Sequence, residues 1–311
     1  MMMNSRFTLL VLLLLLAGCT RPVKQHWITV ADSKVYVEES GRGEALILLH
    51  GGTLDHRMWE QQVNVFRKHF RVLNIDIRGH GLTQNGDSSY LASDALVTVL
   101  DSLRINRAHV AGLSLGAVVA TAFAIDHPAR LNKLILASPG LIGFEINHDS
   151  VYRKLQAAMK DAYNNHDTLA YIENFVRAWT DGPRRKPGSV DPEVRELTLR
   201  LATENVFRNK WRYNPGFSFK PLPITQLGSI QTSTLVMVGE LDMKDILMIA
   251  DTLVDKIPYA RKVIIRKAAH MINLEQPEIF NSTVLAFLRD DARYAMLQQR
   301  HIKPYIAAVV N

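Results

Sequence analysis

A single cysteine, Cys19, is all that this chain of 311 residues contains. No disulfide can form within it, so the fold must hold by packing and hydrogen bonding alone. No H-E-x-x-H or comparable metal-ligand run occurs, and neither a metal nor a cofactor is expected. The leucine-rich stretch Phe7–Ala17 has eleven residues, whereas a membrane-crossing helix needs about 20. Internal repeats are absent, as is low-complexity sequence beyond that stretch. The net charge of +7 is spread along the chain. Its densest basic cluster, Arg184-Arg185-Lys186, lies between Pro183 and Pro187 with no interleaved aromatics. That reads as a solvated loop and speaks against a nucleic-acid partner, while leaving room for weak attraction to anionic lipid.

What is present is ample apolar sequence, 47% of residues, on a chain longer than one ordinary domain. One large α/β domain with an insertion follows. Trp27–Val30 and Lys34–Glu38 flank Ala31-Asp32-Ser33 as a hairpin, the second strand alternating like a half-exposed antiparallel strand. Near-continuous apolar runs at 46–49, 72–77, 108–113, 133–138, 234–239 and 262–266 predict parallel strands covered on both faces. Helices are predicted between them. Trp59, Val63 and Phe66 share a face, as do Leu96, Leu100 and Leu103, and Ile246, Ile249 and Leu253. Pro277 opens a last helix ending near Leu288.

The strand–helix rhythm breaks between about 140 and 226. Helical segments follow one another there, one carrying Val151, Leu155 and Met159, another Leu169, Ile172, Phe175 and Trp179. A third starts at Asp191-Pro192, a cap and first-turn pair. The domain plan is a core over 27–140 and 227–290, a helical cap over 141–226, and a tail over 291–311. Phe144, Trp179, Trp211 and Phe217 are candidates to line an acyl pocket, with simple burial of the cap as the alternative for each.

Gly112-Leu113-Ser114-Leu115-Gly116 is the most informative motif. A strand run precedes it and small residues follow, which reads as strand, sharp turn, helix, with the Ser114 hydroxyl raised above the sheet. Such a serine needs a base, and the base needs an orienting acid. In the chain order Ser, Asp/Glu, His, the partners fall to Asp242, after 234–239, and His270, after 262–266. Both sit just past the C-terminal ends of strands, the edge where parallel sheets bind ligands. Asp245 is the rival acid, and Asp242 could instead cap the helix that follows. The glycine-rich turn His50-Gly51-Gly52-Thr53 can aim a backbone N–H at a developing oxyanion. Gly52 is the first candidate, Thr53 the second, and the N–H of Leu115 is the other donor. His50 is expected to shape this loop. Gly86-Asp87-Ser88 has no strand leading into it and reads as a turn.

His50-Gly51-Gly52, Asp76-Ile77-Arg78-Gly79-His80-Gly81, the serine pentapeptide, Gly239-Glu240-Leu241-Asp242 and His270-Met271-Ile272-Asn273-Leu274-Glu275-Gln276-Pro277 occur in one order. In that order they resemble the motifs of the α/β-hydrolase superfamily over residues 27–290. The resemblance implies an α/β fold, with a mostly parallel eight-stranded sheet flanked by helices and a helical cap. It makes Asp76, Arg78 and His80 a structural loop. It implies a serine hydrolase that cleaves carboxylic esters through an acyl-enzyme, with no cofactor and a small-molecule ester as partner. Two departures remove no chemical group: Met243-Lys244-Asp245 lacks the family's frequent proline, and Lys267-Ala268-Ala269-His270 lacks its glycines.

Other readings keep the triad but change the bond: enol-lactones, amides, thioesters or the C–C bonds of ring-cleavage products. His50-Gly51-Gly52-Thr53 with Asp55-His56-Arg57-Met58-Trp59 resembles that branch. A reading of another class is a non-catalytic binding lipoprotein, against which the complete triad argues. Haloalkane dehalogenase and epoxide hydrolase chemistry would need a carboxylate where Ser114 stands.

At the amino terminus, Arg6 and the leucine run fit a secretory signal over residues 1–18. Leu16-Ala17-Gly18-Cys19 resembles a bacterial lipobox, which implies lipidation of Cys19, a tether over 19–26 and a lipid-anchored place in the cell envelope. Thr20, where inner-membrane lipoproteins usually carry aspartate, favours the outer membrane of a Gram-negative cell.

Overall fold

A computed structural model of the chain describes residues 22–290 apart from 89–90, 148, 187 and 210–220. The predicted signal run, Cys19, Trp211, Phe217 and the tail 291–311 lie outside the described residues. No described helix is long and apolar enough to cross a membrane.

Eight strands form one sheet: β1 (Lys24–Val30), β2 (Ser33–Gly41), β3 (Ala45–Leu49), β4 (Arg71–Ile75), β5 (Ala108–Leu113), β6 (Leu131–Ala137), β7 (Thr234–Gly239) and β8 (Ala260–Ile265). Their order is β1-β2-β4-β3-β5-β6-β7-β8. β2 runs antiparallel to β1 and β4, and every other pairing is parallel. β3, β5 and β7 are buried at every residue, as strands covered on both faces must be. Each Leu or Ile of β3 contributes roughly 1.5–3 kcal/mol by leaving water.

Three strands differ from expectation. β1 begins at Lys24, inside the stretch read as a tether, because His26 and Trp27 pair across to Val37 and Tyr36. β2 is largely buried, not half-exposed, since the rings of Trp27 and His56 pack over Tyr36 at 5.0 and 5.1 Å. β8 is not covered on both faces. It is one edge of the sheet, with Ile264 exposed and Arg261 and Lys262 along it, charges that discourage pairing with another chain.

The helices α1 (Glu60–Phe66), α2 (Ala92–Ser102), α3 (Leu115–Asp126), α4 (Ser150–Asn164), α5 (Thr168–Trp179), α6 (Pro192–Asn209), α7 (Lys244–Lys256), α8 (Ile272–Glu275) and α9 (Pro277–Leu288) complete the fold. α4, α5 and α6 lie in series between β6 and β7, where the cap was expected. The side chains of Asp149, Asp167 and Asp191 accept backbone N–H groups in their first turns, caps worth about 1 kcal/mol each. The predicted faces hold in part. Met159, Ile172 and Phe175 are buried as expected, but Val151 and Leu169 are exposed and Tyr152 takes an inner position on α4. On α1, Gln62 replaces Val63 at the inner position, because its amide binds the carbonyl of Asn273 at 3.0 Å.

Candidate active site

Parallel strands bring their C-terminal ends to one edge, and that edge collects the candidate residues. β3 and β5 are neighbours with Leu49 opposite Gly112, so the loop after β3 meets the turn after β5. β7 and β8 are neighbours with Gly239 opposite Ile265, so Asp242 meets His270.

Ser114 has φ 54° and ψ −107°, a strained conformation that costs on the order of 1–3 kcal/mol. Neighbouring packing enforces it. A Cβ on Gly112 would sit 2.2 Å from the Gly116 backbone, and one on Gly116 would sit 2.1 Å from the Leu49 carbonyl. The turn is pinned by the Ser114 N–H donating to Ala137 O at 3.0 Å, while its own carbonyl accepts from Val118 and Gly140.

His270 is buried, and its Nδ1 lies 3.0 and 3.1 Å from the two carboxylate oxygens of Asp242. With the proton on Nδ1, the lone pair sits on Nε2, which is buried without a hydrogen-bond partner among the described residues. Asp242 is also held by the Met243 N–H at 2.8 Å; the N-cap of α7 is Met243, which makes no side-chain cap. The rival Asp245 faces elsewhere: its oxygens accept from the N–H groups of Asn147 and Asp149 at the entry to the cap.

The glycine turn is similarly resolved. The Thr53 N–H donates to His80 Nε2 at 3.2 Å, and the Gly51 N–H points at Met58 Sδ at 3.3 Å. Those of Gly52 and Leu115 are engaged by no hydrogen bond among the described residues, and both residues, half-buried, line the same cavity as Ser114 and His270. His50 and His80 brace this turn. His50 donates from Nδ1 to Gly51 O at 2.8 Å and accepts the Ile77 N–H on Nε2 at 2.9 Å. Its ring packs 4.9 Å from that of His80. Burial, and then the proximity of His50, hold the pKa of His80 down to about 3.

That depression makes stability pH-dependent. In the unfolded chain the imidazole binds a proton near pH 6.5, in the folded chain only near 3. Its contribution is therefore complete above 6.5 and is lost as the pH falls between those values. At pH 5 the loss from this residue is about 2 kcal/mol. Denaturant titrations at pH 7 and pH 5 should show wild type losing about that much more than His80→Gln, which keeps an acceptor for the Thr53 N–H. Equal losses would contradict a buried neutral His80.

Asp76 is structural in the same way. Its Oδ1 accepts from His56 N–H and Nδ1 at 2.7 and 2.8 Å, and its Oδ2 from the Leu82 N–H at 2.7 Å. Asp55, His56 and Asp76 lie close enough to share an ion. Both oxygens of Asp55, however, already accept from Arg57, and one also accepts from Asn205. Burial opposes charge on His56, but the Asp76 and Glu38 carboxylates outweigh it and raise its pKa. Arg78 donates to the carbonyls of Gly86 and Ser88, and Asp32 accepts the N–H groups of Asp87 and Ser88, so Gly86-Asp87-Ser88 is a docked turn.

The cavity, of about 960 Å³, has the sheet edge on one side and cap helices on the other. Trp179 lines it, with its ring 4.4 Å from that of His270, whereas Phe144 packs against the core without reaching it. Sequence reasoning missed how the cap is joined to the histidine loop. Glu275 accepts the Ala269 N–H at 2.8 Å and pairs with Arg185 of the cap at 2.6 Å. Burial pushes the Glu275 pKa up, against the pull of Arg185. Arg184, read as part of a solvated basic loop, reaches Asp149 at 2.6 Å. Only long-range partners distinguish these two arginines from ordinary surface charge, and spacing along the chain does not reveal them.

Residues 46–283 match the model of the family described as alpha/beta hydrolase. The chain is 28% identical over 273 residues to the carboxylesterase YbfK of Bacillus subtilis, covering 84% of this chain and 86% of that one. It is 29% identical over 273 residues to the 2-hydroxy-6-oxononadienedioate/2-hydroxy-6-oxononatrienedioate hydrolase of Burkholderia vietnamiensis, covering 83% and 92%. Among solved structures it is similar to the enol-lactonase of Burkholderia xenovorans LB400, with TM-score 0.71, 22% identity, and 86% and 100% of the two chains covered. At that identity the likeness speaks for the fold alone.

Proposed function

The chain belongs to the alpha/beta hydrolase family, and on that premise we propose that it is a serine hydrolase of carboxylic esters whose triad is Ser114, His270 and Asp242. The observation that carries the reading is the His270 imidazole. Its Nδ1 is tied to a buried carboxylate and its Nε2 has no hydrogen-bond partner among the described residues, in the cavity that Ser114 also lines.

In this mechanism Ser114 Oγ attacks the ester carbonyl as its proton passes to His270 Nε2. The carbonyl oxygen becomes an alkoxide and lies against the N–H groups of Gly52 and Leu115, donors already free and needing no rearrangement. The tetrahedral intermediate collapses, the C–O bond to the alcohol breaks, and the alcohol leaves with the proton from His270. Water then gives a proton to His270 and attacks the acyl-enzyme, releasing the acid and restoring Ser114 Oγ–H. Asp242 holds the imidazole orientation and stabilises its cation throughout. The Leu115 N–H belongs to the first turn of α3, so the helix dipole adds to the same stabilisation.

The test is a panel of esters of graded acyl length with lactones, amides and a ring-cleavage diketone, run on wild type and on Ser114→Ala. Turnover highest on esters and absent from the variant supports the proposal. Turnover confined to the lactones or the diketone would assign the same triad to another bond, and serine-independent turnover would overturn it.

A further inference from the structure

The cavity has a charge polarity that ester hydrolysis alone does not require. No aspartate or glutamate lines it among the described residues. Apart from histidine, its titratable cations are Arg153 and Lys160, both on α4. With Gln156 and Ala157 they occupy positions i, i+3, i+4 and i+7, one stripe of the helix turned to the cavity. Both cations are exposed at the solvent end, whereas Tyr152 and Met159 on the same helix are buried.

Neither the Arg153 nor the Lys160 side chain makes a hydrogen bond or ion pair among the described residues, unlike the other cap arginines around the site. Arg177 donates to Gly182 O, Arg184 pairs with Asp149, Arg185 with Glu275, and Arg195 with Asp181 and Glu173. The acids nearest the start of α4 are already engaged. Asp149 accepts from Val151, Tyr152, Lys244 and Arg184, and Asp245 accepts from Asn147 and Asp149. Much of the remaining lining is apolar and aromatic, with Val118, Ile146, Phe175, Trp179 and Ile246 among it.

Building on the serine-hydrolase reading above, we infer that the preferred substrates carry a carboxylate at the end of an apolar arm, which Arg153 and Lys160 meet while the ester reaches Ser114. A half-ester of a dicarboxylic acid is the simplest such molecule. An aliphatic arm suits the apolar walls, and a terminal anion meets two cations with no carboxylate in the cavity to repel it. A charge-assisted hydrogen bond from each cation should favour the anionic ester about tenfold or more.

The experiment compares a monomethyl half-ester of a medium-chain dicarboxylic acid with its dimethyl diester. Wild type should prefer the half-ester in kcat/KM, through KM, and the preference should shrink as salt is raised. In Arg153→Gln/Lys160→Gln the half-ester to diester ratio should fall by about tenfold or more, and Arg153→Lys should retain much of it. Lys154→Gln, on the same helix but outside the cavity, should leave the ratio unchanged. A ratio unmoved in the double variant, or a wild type that prefers the diester, overturns the inference while leaving ester hydrolysis intact. Calorimetric binding of octanoate to the Ser114→Ala protein reads the anion site without turnover. Binding that the double substitution abolishes supports the inference even if no ester is cleaved, and binding it leaves unchanged refutes it.

Discussion

Ser114→Ala is expected to lower kcat/KM on a short-chain ester by about 10⁴–10⁶-fold and to abolish labelling by a fluorophosphonate. The size of the effect follows from the joint action of the group. Without Oγ, His270 has no proton to take, and the N–H groups of Gly52 and Leu115 have only a water-derived oxyanion to stabilise. Residual activity should reflect binding and those donors alone. A second variant separates chemistry from folding. Ser114 holds φ 54°, where glycine is at ease and other residues are strained. Ser114→Gly should therefore be as inactive as Ser114→Ala yet unfold at a higher temperature than Ser114→Ala. Probe labelling that survives both substitutions would remove Ser114 from the reaction.

Asp242→Asn should cost about 10⁴-fold in kcat. The amide would place an N–H₂ group opposite Nδ1 of His270, favouring the tautomer whose proton is on Nε2 and removing the lone pair that Ser114 needs. Asp245→Asn should behave differently. Its carboxylate is fully buried but accepts from the backbone of Asn147 and Asp149, so the loss should fall on stability, about 1.5–3 kcal/mol, with kcat little changed. Paired kinetics and denaturant titrations check both. Activity retained in Asp242→Asn and lost in Asp245→Asn would exchange their roles.

The central sheet was readable because its signals are local. Fully apolar runs mark β3, β5 and β7, and the turns after them carry glycine, serine and aspartate in a known order. Chain order favours Asp242 but leaves the final choice against Asp245 open, since both lie beyond the same strand. It depends on whether the chain dips towards His270 or towards Asn147, a tertiary matter. Thr53 against Gly52 is similar: His80 Nε2, 27 positions along the chain, engages one N–H and leaves the other. The cap was legible as a run of helices, and in its faces only in part. Leu169 looked internal by spacing and is exposed, because the inner stripe of α5 is set by what it packs against. β8 read as a buried strand because an edge differs from an interior only in having one neighbour.

The insertion point of the cap has a consequence for how this scaffold can be re-engineered. The polypeptide leaves at β6 and returns at β7, strands that pair directly with each other. The sheet is therefore continuous without the intervening helices, and none of the proposed triad residues lies among them. The segment 147–209 should therefore be exchangeable as a cassette between related proteins, altering what is recognised while sparing the proposed reaction. The fastenings set the grafting rule. Asp245 accepts from Asn147 and Asp149, Glu275 accepts from Arg185, Asp55 accepts from Asn205, and the Gly81 N–H donates to Asn205. A donor segment offering the same contacts should dock in register. One lacking an arginine at 185 would leave the buried Glu275 carboxylate without its cationic partner beside the histidine loop, so the joint to test first in any chimera is the one farthest from the segment's ends.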